Sequence, residues 1–269
     1  MKDRGFTLME MIVTIVVGSF IMLGIAGYVQ LGMKGYADTI DRQRIQTQAQ
    51  FVLEKMTREI RHAVPNSFYE PSSNCLAFVP IEFSGFYLTH NQDLQFLLGN
   101  DPKLKTLRTN RCLVINPSRY NDLFPTEFGG KCPSIDDIRK LTEPKLSQSF
   151  QVGGLHRVVG EDGKTLEPFT LSDAADYLAS SSISDRHYIY KDNSQVTYCF
   201  DSDSGELTRQ DSRYNRSITV AKNIDTSKSE MHYKEATLQR GGLVHINLEF
   251  VQDGERSVYQ QDVQVLNVP

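Results

Sequence analysis

Any chemistry in this chain of 269 residues would rest on its six histidines, its four cysteines or a few placed carboxylates. His62, His90, His156, His187, His232 and His245 are scattered. No HxxxH or HExxH spacing sets two imidazoles on one helical face, where zinc could be held. There is no GxSxG elbow and no P-loop, and Gly153-Gly154 and Gly241-Gly242 read as turn pairs. Asp201-Ser202-Asp203-Ser204-Gly205-Glu206 resembles the opening of a calcium loop, but Ser212 stands at the twelfth position, where a bidentate acid is needed. A hairpin turn is the better reading. No catalytic residue, metal site or cofactor is expected, and the chain reads as a non-enzyme.

Cys75, Cys112, Cys132 and Cys199 lack the local pairing of a structural zinc site. In an oxidising compartment they would make two disulfides, with three connectivities open. The preferred pairing joins the nearer two, Cys112 and Cys132, across an irregular region and leaves Cys75 with Cys199 to join two strands. Cys75–Cys112 with Cys132–Cys199, Cys75–Cys132 with Cys112–Cys199, and four free thiols are the alternatives. The net charge of -4 and pI near 5.9 leave no basic footprint for nucleic acid. With no Trp, a core must be filled from 14 Phe, 12 Tyr and the aliphatics.

One carboxylate is out of place. Glu10 stands at the head of 11–33, MIVTIVVGSFIMLGIAGYVQLGM, which carries no charge. At about 1.5 Å per residue, a helix of that length crosses a hydrocarbon core of roughly 30 Å. The run is longer than the apolar region of a signal peptide, so a membrane anchor is expected. Lys2 and Arg4 precede it, which predicts a cytoplasmic N-terminus and an exported remainder. Gly18, Gly24, Gly27, Gly32 and Gly35 each cost helix propensity but allow close helix–helix approach in lipid. From residue 34 the pattern turns amphipathic. Ile45, Ala49, Val52, Met56, Ile60 and Ala63 recur at helical spacing, and Asp38/Arg42, Glu54/Arg58 and Lys55/Glu59 are opposite charges four apart. Pro65 must stop the helix. One helix is therefore predicted from near Phe6 to near Val64, about 90 Å long.

Arg4-Gly5-Phe6-Thr7-Leu8-Met9-Glu10 resembles the leader junction of type IV pilins and type II secretion pseudopilins. The resemblance implies cleavage after Gly5 by a prepilin peptidase, N-methylation of Phe6, and an assembly role for Glu10. A charge at bilayer depth costs a few kcal/mol unless paired. The new α-amine of Phe6 on a neighbouring subunit would pair with Glu10 and set axial register, whereas snorkelling to the headgroups is the simpler alternative. The parts implied are a leader over 1–5, a transmembrane and assembly half-helix over 6–33, an amphipathic half over 34–65 and a β-rich periplasmic head over 66–269. The protein would sit in the inner membrane as a single-pass subunit before joining a pilus at the cell surface. Its partners would be other minor pilins, the major pilin, the peptidase and the inner-membrane assembly platform.

The expected fold class is α+β, with a mostly antiparallel sheet on the amphipathic half-helix. CLAFVPIEF, RCLVINP, RHYIYK, QVTYCF, ELTRQ, SITVAKNI, VHINLEFV and SVYQQDVQVLNV read as strands between turn formers. Asp-Ser-Asp-Ser-Gly and Gln-Asp-Gly-Glu mark hairpins. A short helix is predicted at 172–179, capped by Ser172. The stretch 90–170 reads as a loop-heavy, irregular insertion. RQRIQTQAQFVLEKMTREIRHAVPNS, the YCFD…GELTRQ hairpin and the closing QDVQVLNVP are similar to the minor pilins of mannose-sensitive haemagglutinin (MSHA) pili, a likeness that implies a role at the fibre tip. J-type minor pseudopilins of type II secretion are similar in the helix and the order of strands, and a tip adhesin module is a further alternative.

Overall fold

The computed structural model describes residues 7–141, 146–160, 166–236, 241–252 and 254–265. The chain divides into two compact units, Met1–Gln50 and Phe51–Pro269. A single helix, α1 (Leu8–Arg61), accounts for the described helical part of the first unit and opens the second. Its early residues expose large apolar side chains on all sides, as at Phe20, Leu23 and Leu31. Farther along, the expected stripe is buried residue for residue: Ile45, Ala49, Val52, Met56 and Ile60. Burying side chains such as Val52, Met56 and Ile60 contributes about 1.5–3 kcal/mol apiece relative to exposure.

Helix α1 stops at Arg61, slightly before the predicted end. Ala63 bridges to Pro80, and the Val64 backbone N–H donates to Val79 O at 2.8 Å, so sheet pairing claims these residues first. The following strands are β1 (Tyr69–Ser72), β2 (Cys75–Phe78), β3 (Phe83–His90), β4 (Asp93–Leu98), β5 (Arg111–Val114), β6 (Ser149–Gln151) and β7 (Phe169–Leu171). Then come β8 (Arg186–Lys191), β9 (Val196–Asp201), β10 (Glu206–Asp211), β11 (Arg216–Ala221), β12 (Glu230–Lys234), β13 (Leu243–Gln252) and β14 (Glu255–Gln264). They form three antiparallel sheets, in the orders β1-β2-β9-β10-β11, β12-β13-β14 and β6-β5-β8-β3-β4-β7. The architecture is thus α+β: a long helix, apolar and exposed over its first part, whose last turns bury Val52, Met56 and Ile60 in a unit built of antiparallel sheets.

Period-two alternation explains the best-formed strands. In β13, Val244, Ile246, Leu248 and Phe250 are all fully buried. The β9–β10 hairpin turns through residues 202–205, with Gly205 in the left-handed region at φ 64°. The β13–β14 hairpin has Gly254 at φ 83°, and its Asp253 lies outside the described residues. Gly85 is required by close approach, since a Cβ there would fall 1.8 Å from Leu97 O in the neighbouring β4.

Two expectations need correction. The stretch 90–170, read as an irregular insertion, supplies β4, β5, β6 and nearly all of the approach to β7, and so builds much of the six-stranded sheet. It also holds a short helix, α2 (Ile135–Arg139). Ser134 Oγ accepts the Asp137 N–H while the Asp137 carboxylate reaches back to the Ser134 N–H, a reciprocal cap that buries Ile135 and Ile138. The predicted helix at 172–179 is instead a single 3₁₀ turn, Ala175–Tyr177, and Ser172 does not cap it. Asp173 is left-handed at φ 59° and its N–H donates to Asp93 Oδ1 at 3.1 Å, which breaks the helical run at its start.

Both disulfides lie in the second unit. Cys75 and Cys199 face each other in the β2–β9 register, with Cα atoms 4.2 Å apart. Cys112 in β5 is bonded to Cys132, just before α2, with Cα atoms 6.1 Å apart. Each closes a loop that the unfolded chain would otherwise leave open.

A polar lattice ties the end of α1 to β9 and β10. Glu59 accepts the Tyr198 hydroxyl at 2.9 Å, Arg209 Nε at 2.9 Å and Lys55 Nζ at 3.0 Å. Burial raises the Glu59 carboxyl pKa, but the Arg209 and Lys55 contacts outweigh it and hold the group below its ordinary value. Arg209 also pairs with buried Asp211, which is held in turn by Arg213 at 2.7 Å.

His187 is buried in the six-stranded sheet, edge-on to Phe96 with ring centroids 5.2 Å apart. Neither ring nitrogen meets a partner of normal hydrogen-bond geometry. Burial pushes its pKa down from 6.5 to about 4. The unfolded chain takes up a proton as pH falls below 6.5 and the folded chain resists until about 4, so stability is lost in that window. The slope is about 1.4 kcal/mol per pH unit. We therefore expect urea unfolding of the detergent-solubilised chain to lose about 2 kcal/mol between pH 7 and pH 5. A His187→Leu variant should lose much less; an unchanged slope in that variant would refute the assignment.

Candidate functional site

The candidate site is the N-terminal segment. Gly5 and Phe6 lie outside the described residues. Glu10 is exposed in the first turn of α1. Its backbone N–H donates to Thr7 O at 3.0 Å and lies 3.4 Å from Thr7 Oγ1. Thr7 therefore serves as the helix cap, and Thr7-Leu8-Met9-Glu10 has the spacing of a capping box, a signal the sequence reading passed over. A carboxylate in the first turn also complements the positive end of the helix dipole. Among the described residues, the Glu10 carboxylate meets no cation and no side-chain donor. Sequence reasoning set Gly5, Phe6 and Glu10 together as one local motif; of these the structure places Glu10 alone.

The surface behind Glu10 is suited to lipid or to neighbouring helices. Hydroxyls that would cost energy in an apolar medium are satisfied within the helix: Thr14 Oγ1 donates to Met11 O at 2.9 Å and Ser19 Oγ to Ile15 O at 2.7 Å. The helix is long and apolar enough to cross a membrane. At Gly18, Gly24, Gly27, Gly32 and Gly35 an added Cβ would meet nothing within 4 Å. Among the described residues their small size relieves no crowding, and the open space would admit close approach by another helix.

The head's candidate groups are engaged structurally. Asp201 accepts the Asp203 N–H at 3.1 Å and the Ser204 hydroxyl at 2.7 Å, which closes the β9–β10 turn. The Ser204 hydrogen bond holds its carboxyl below the ordinary range. Glu206 is taken by Thr219 at 2.7 Å and Lys222 at 3.0 Å. Cys112, Cys132 and Asp192 bring possible ligand atoms within 4.8 Å of one another, but the two sulfurs form a disulfide and offer no thiolate.

Residues 1–26 match the family described as the prokaryotic N-terminal methylation motif. No curated protein and no solved structure matches the chain. The motif supports a type IV pilin-like protein and points to a structural role. With the apolar helix behind it, it is consistent with membrane anchoring.

The open flank of the glycines yields a prediction. Gly24→Leu should leave urea unfolding of the head within about 0.5 kcal/mol of the parent, because among the described residues an added Cβ there meets nothing within 4 Å. The same change should weaken crosslinking of α1 to partner helices in membranes. Loss of head stability, or unaltered crosslinking, would count against a helix-packing role.

Proposed function

We propose that the chain is a minor subunit of a type IV pilus of the MSHA kind, similar to its O-type minor pilin, and acts in the tip or priming complex from which the fibre grows. In this reading a prepilin peptidase cleaves between Gly5 and Phe6 and methylates the new N-terminus. The amphipathic half-helix carries the head into the periplasm, and the subunit then leaves the inner membrane for the fibre. Other minor pilins, the major pilin and the assembly platform are its partners.

The observation that carries the reading is the methylation motif over 1–26, set on an exposed apolar helix that runs without a break to Arg61. Glu10 supports it further, as a carboxylate in apolar surroundings whose own described chain supplies no counter-charge. The α-amine of a cleaved neighbour would supply one, and an axial offset between subunits would then be fixed by a charge pair. The similarities at the helix end, the β9–β10 hairpin and the C-terminal stretch support the MSHA branch. The motif is shared by type II secretion pseudopilins, so the second reading is a J-type minor pseudopilin. Deleting the gene separates the two: the first predicts loss of surface fibres with enzyme secretion intact, the second the reverse.

Processing and assembly are separable by mutation. Gly5→Ala should leave the precursor uncleaved, seen as a retained leader by mass spectrometry, and abolish incorporation. Glu10→Ala should be cleaved and inserted normally, yet be strongly reduced in sheared fibres on immunoblots. Normal piliation by a Gly5→Ala strain carrying only uncleaved protein would sink the proposal.

A further inference from the structure

At one end of the six-stranded sheet a cleft of about 450 Å³ gathers positive charge, in a chain whose net charge is -4. Strand register builds it. Lys191, the last residue of β8, is directly opposite Arg111, the first residue of β5. Like charges directly opposite one another destabilise an antiparallel pair. On the β3 side of β8, the Glu82 N–H donates to Ile189 O at 2.8 Å, which sets Glu82 beside the same two cations. Arg108, in the approach to β5, and Arg213, in the β10–β11 turn, complete the basic lining. Two of the four cations are neutralised within the chain. Buried Arg111 donates from Nη2 to Glu82 Oε1 at 2.7 Å and from Nη1 to Thr109 O at 3.1 Å. Arg213 donates twice to Asp211, from Nε at 2.9 Å and from Nη2 at 2.7 Å. Among the described residues, neither Lys191 nor Arg108 pairs with a carboxylate. Asp192 follows Lys191 in the chain, but its carboxylate lies on the other face, within 4.8 Å of the Cys112 and Cys132 sulfurs.

The cleft therefore keeps two uncompensated cations, one of them set against a like charge. Glu82, the one acid among its lining residues, already serves Arg111. A phosphate dianion matches the deficit, since a phosphate monoester carries a charge of about -1.5 to -2 at pH 7 and three acceptor oxygens. The guanidinium fork and the lysine ammonium are the side-chain groups suited to it. The cleft is also roomier than one phosphate needs, and falls within the range of about 300–1,000 Å³ for small-molecule sites. Tyr214 stands at its rim, 73% exposed, with its ring 5.6 Å from the Arg213 guanidinium carbon. That ring offers an apolar face to whatever bears the phosphate. We propose that the cleft binds a phosphate dianion, free or as the head of a small monoester, with Lys191 and Arg108 taking the charge, Glu82 holding Arg111 in place and Tyr214 covering the ester group. Strand register assembles the site, so no glycine-rich motif marks it in the sequence.

The test uses the full chain in an uncharged detergent, at low salt and in phosphate-free buffer. Inorganic phosphate and glucose 6-phosphate are titrated separately and followed by ³¹P NMR and by the unfolding midpoint. The expected result is saturable binding with a dissociation constant on the order of 0.1–1 mM, and a midpoint that rises with ligand. Tighter binding of the ester, brought down to the level of inorganic phosphate by Tyr214→Ala, identifies a monoester as the source; equal affinities identify free phosphate. Lys191→Gln and Arg108→Gln should each weaken binding about fivefold or more, and the double variant should abolish it. Lys140→Gln removes the same charge from the end of α2, outside the cleft, and should bind like the parent. Without ligand, Lys191→Gln should unfold at or above the parent's midpoint, because it removes a charge opposed to Arg111. Three results would each overturn the proposal: no saturable binding of either ligand, equal weakening by Lys140→Gln and Lys191→Gln, or a ligand-free Lys191→Gln chain that unfolds well below the parent.

Discussion

The carboxylate of Glu59 fixes how the end of α1 joins the head. It is about a fifth exposed, so it needs partners to stay charged, and it has three. Lys55 comes from its own helix; Tyr198 and Arg209 come from β9 and β10. Hydrophobic burial of Val52, Met56 and Ile60 drives the packing, but burial is not directional and would tolerate a helix rotated or slid by a fraction of a turn. A bonded carboxylate does not tolerate it, because displacement leaves charges uncompensated in a poorly hydrated site. The same strands are braced from the other side. Cys199 of β9 is bonded to Cys75 of β2, and Arg209 shares Asp211 with Arg213, so the groups that receive Glu59 are themselves held.

That arrangement explains what was legible in the sequence. The stripe at Ile45 to Ile60 and the alternation of β13 are periodic over long enough runs to identify their elements, and the β9–β10 hairpin announces its turn by composition. The stretch 90–170 gave no such signal. Its strands are three to six residues long and their partners are remote, as where Leu94 of β4 pairs with Leu171 of β7 and Cys112 of β5 with Tyr190 of β8. Helix α2 is too short to show a period, although Ser134 and Asp137 carried the reciprocal cap openly. At 172–179 the composition favoured a helix, but the tie between Asp173 and Asp93 put Asp173 in a left-handed conformation. The N-terminal motif is local and was legible residue by residue, apart from the capping role of Thr7.

Glu10 and Glu59 lie on one helix and solve the same electrostatic problem in opposite ways. Glu59 finds its counter-charges inside the chain, and its environment is complete in the isolated molecule. Glu10 stands at the head of an apolar surface, and the described residues offer it only the cap at Thr7 through its backbone. In water that is no defect. In a bilayer or a packed bundle of helices an unpaired carboxylate is costly, and a positive group brought beside it lowers the cost. The glycines of the same segment have a similar character, since among the described residues an added Cβ at each would meet nothing within 4 Å. In the proposed reading, an amine created by cleavage at Gly5 would offer the Glu10 of a neighbour its counter-charge, and the uncleaved chain would not present that donor at the same register.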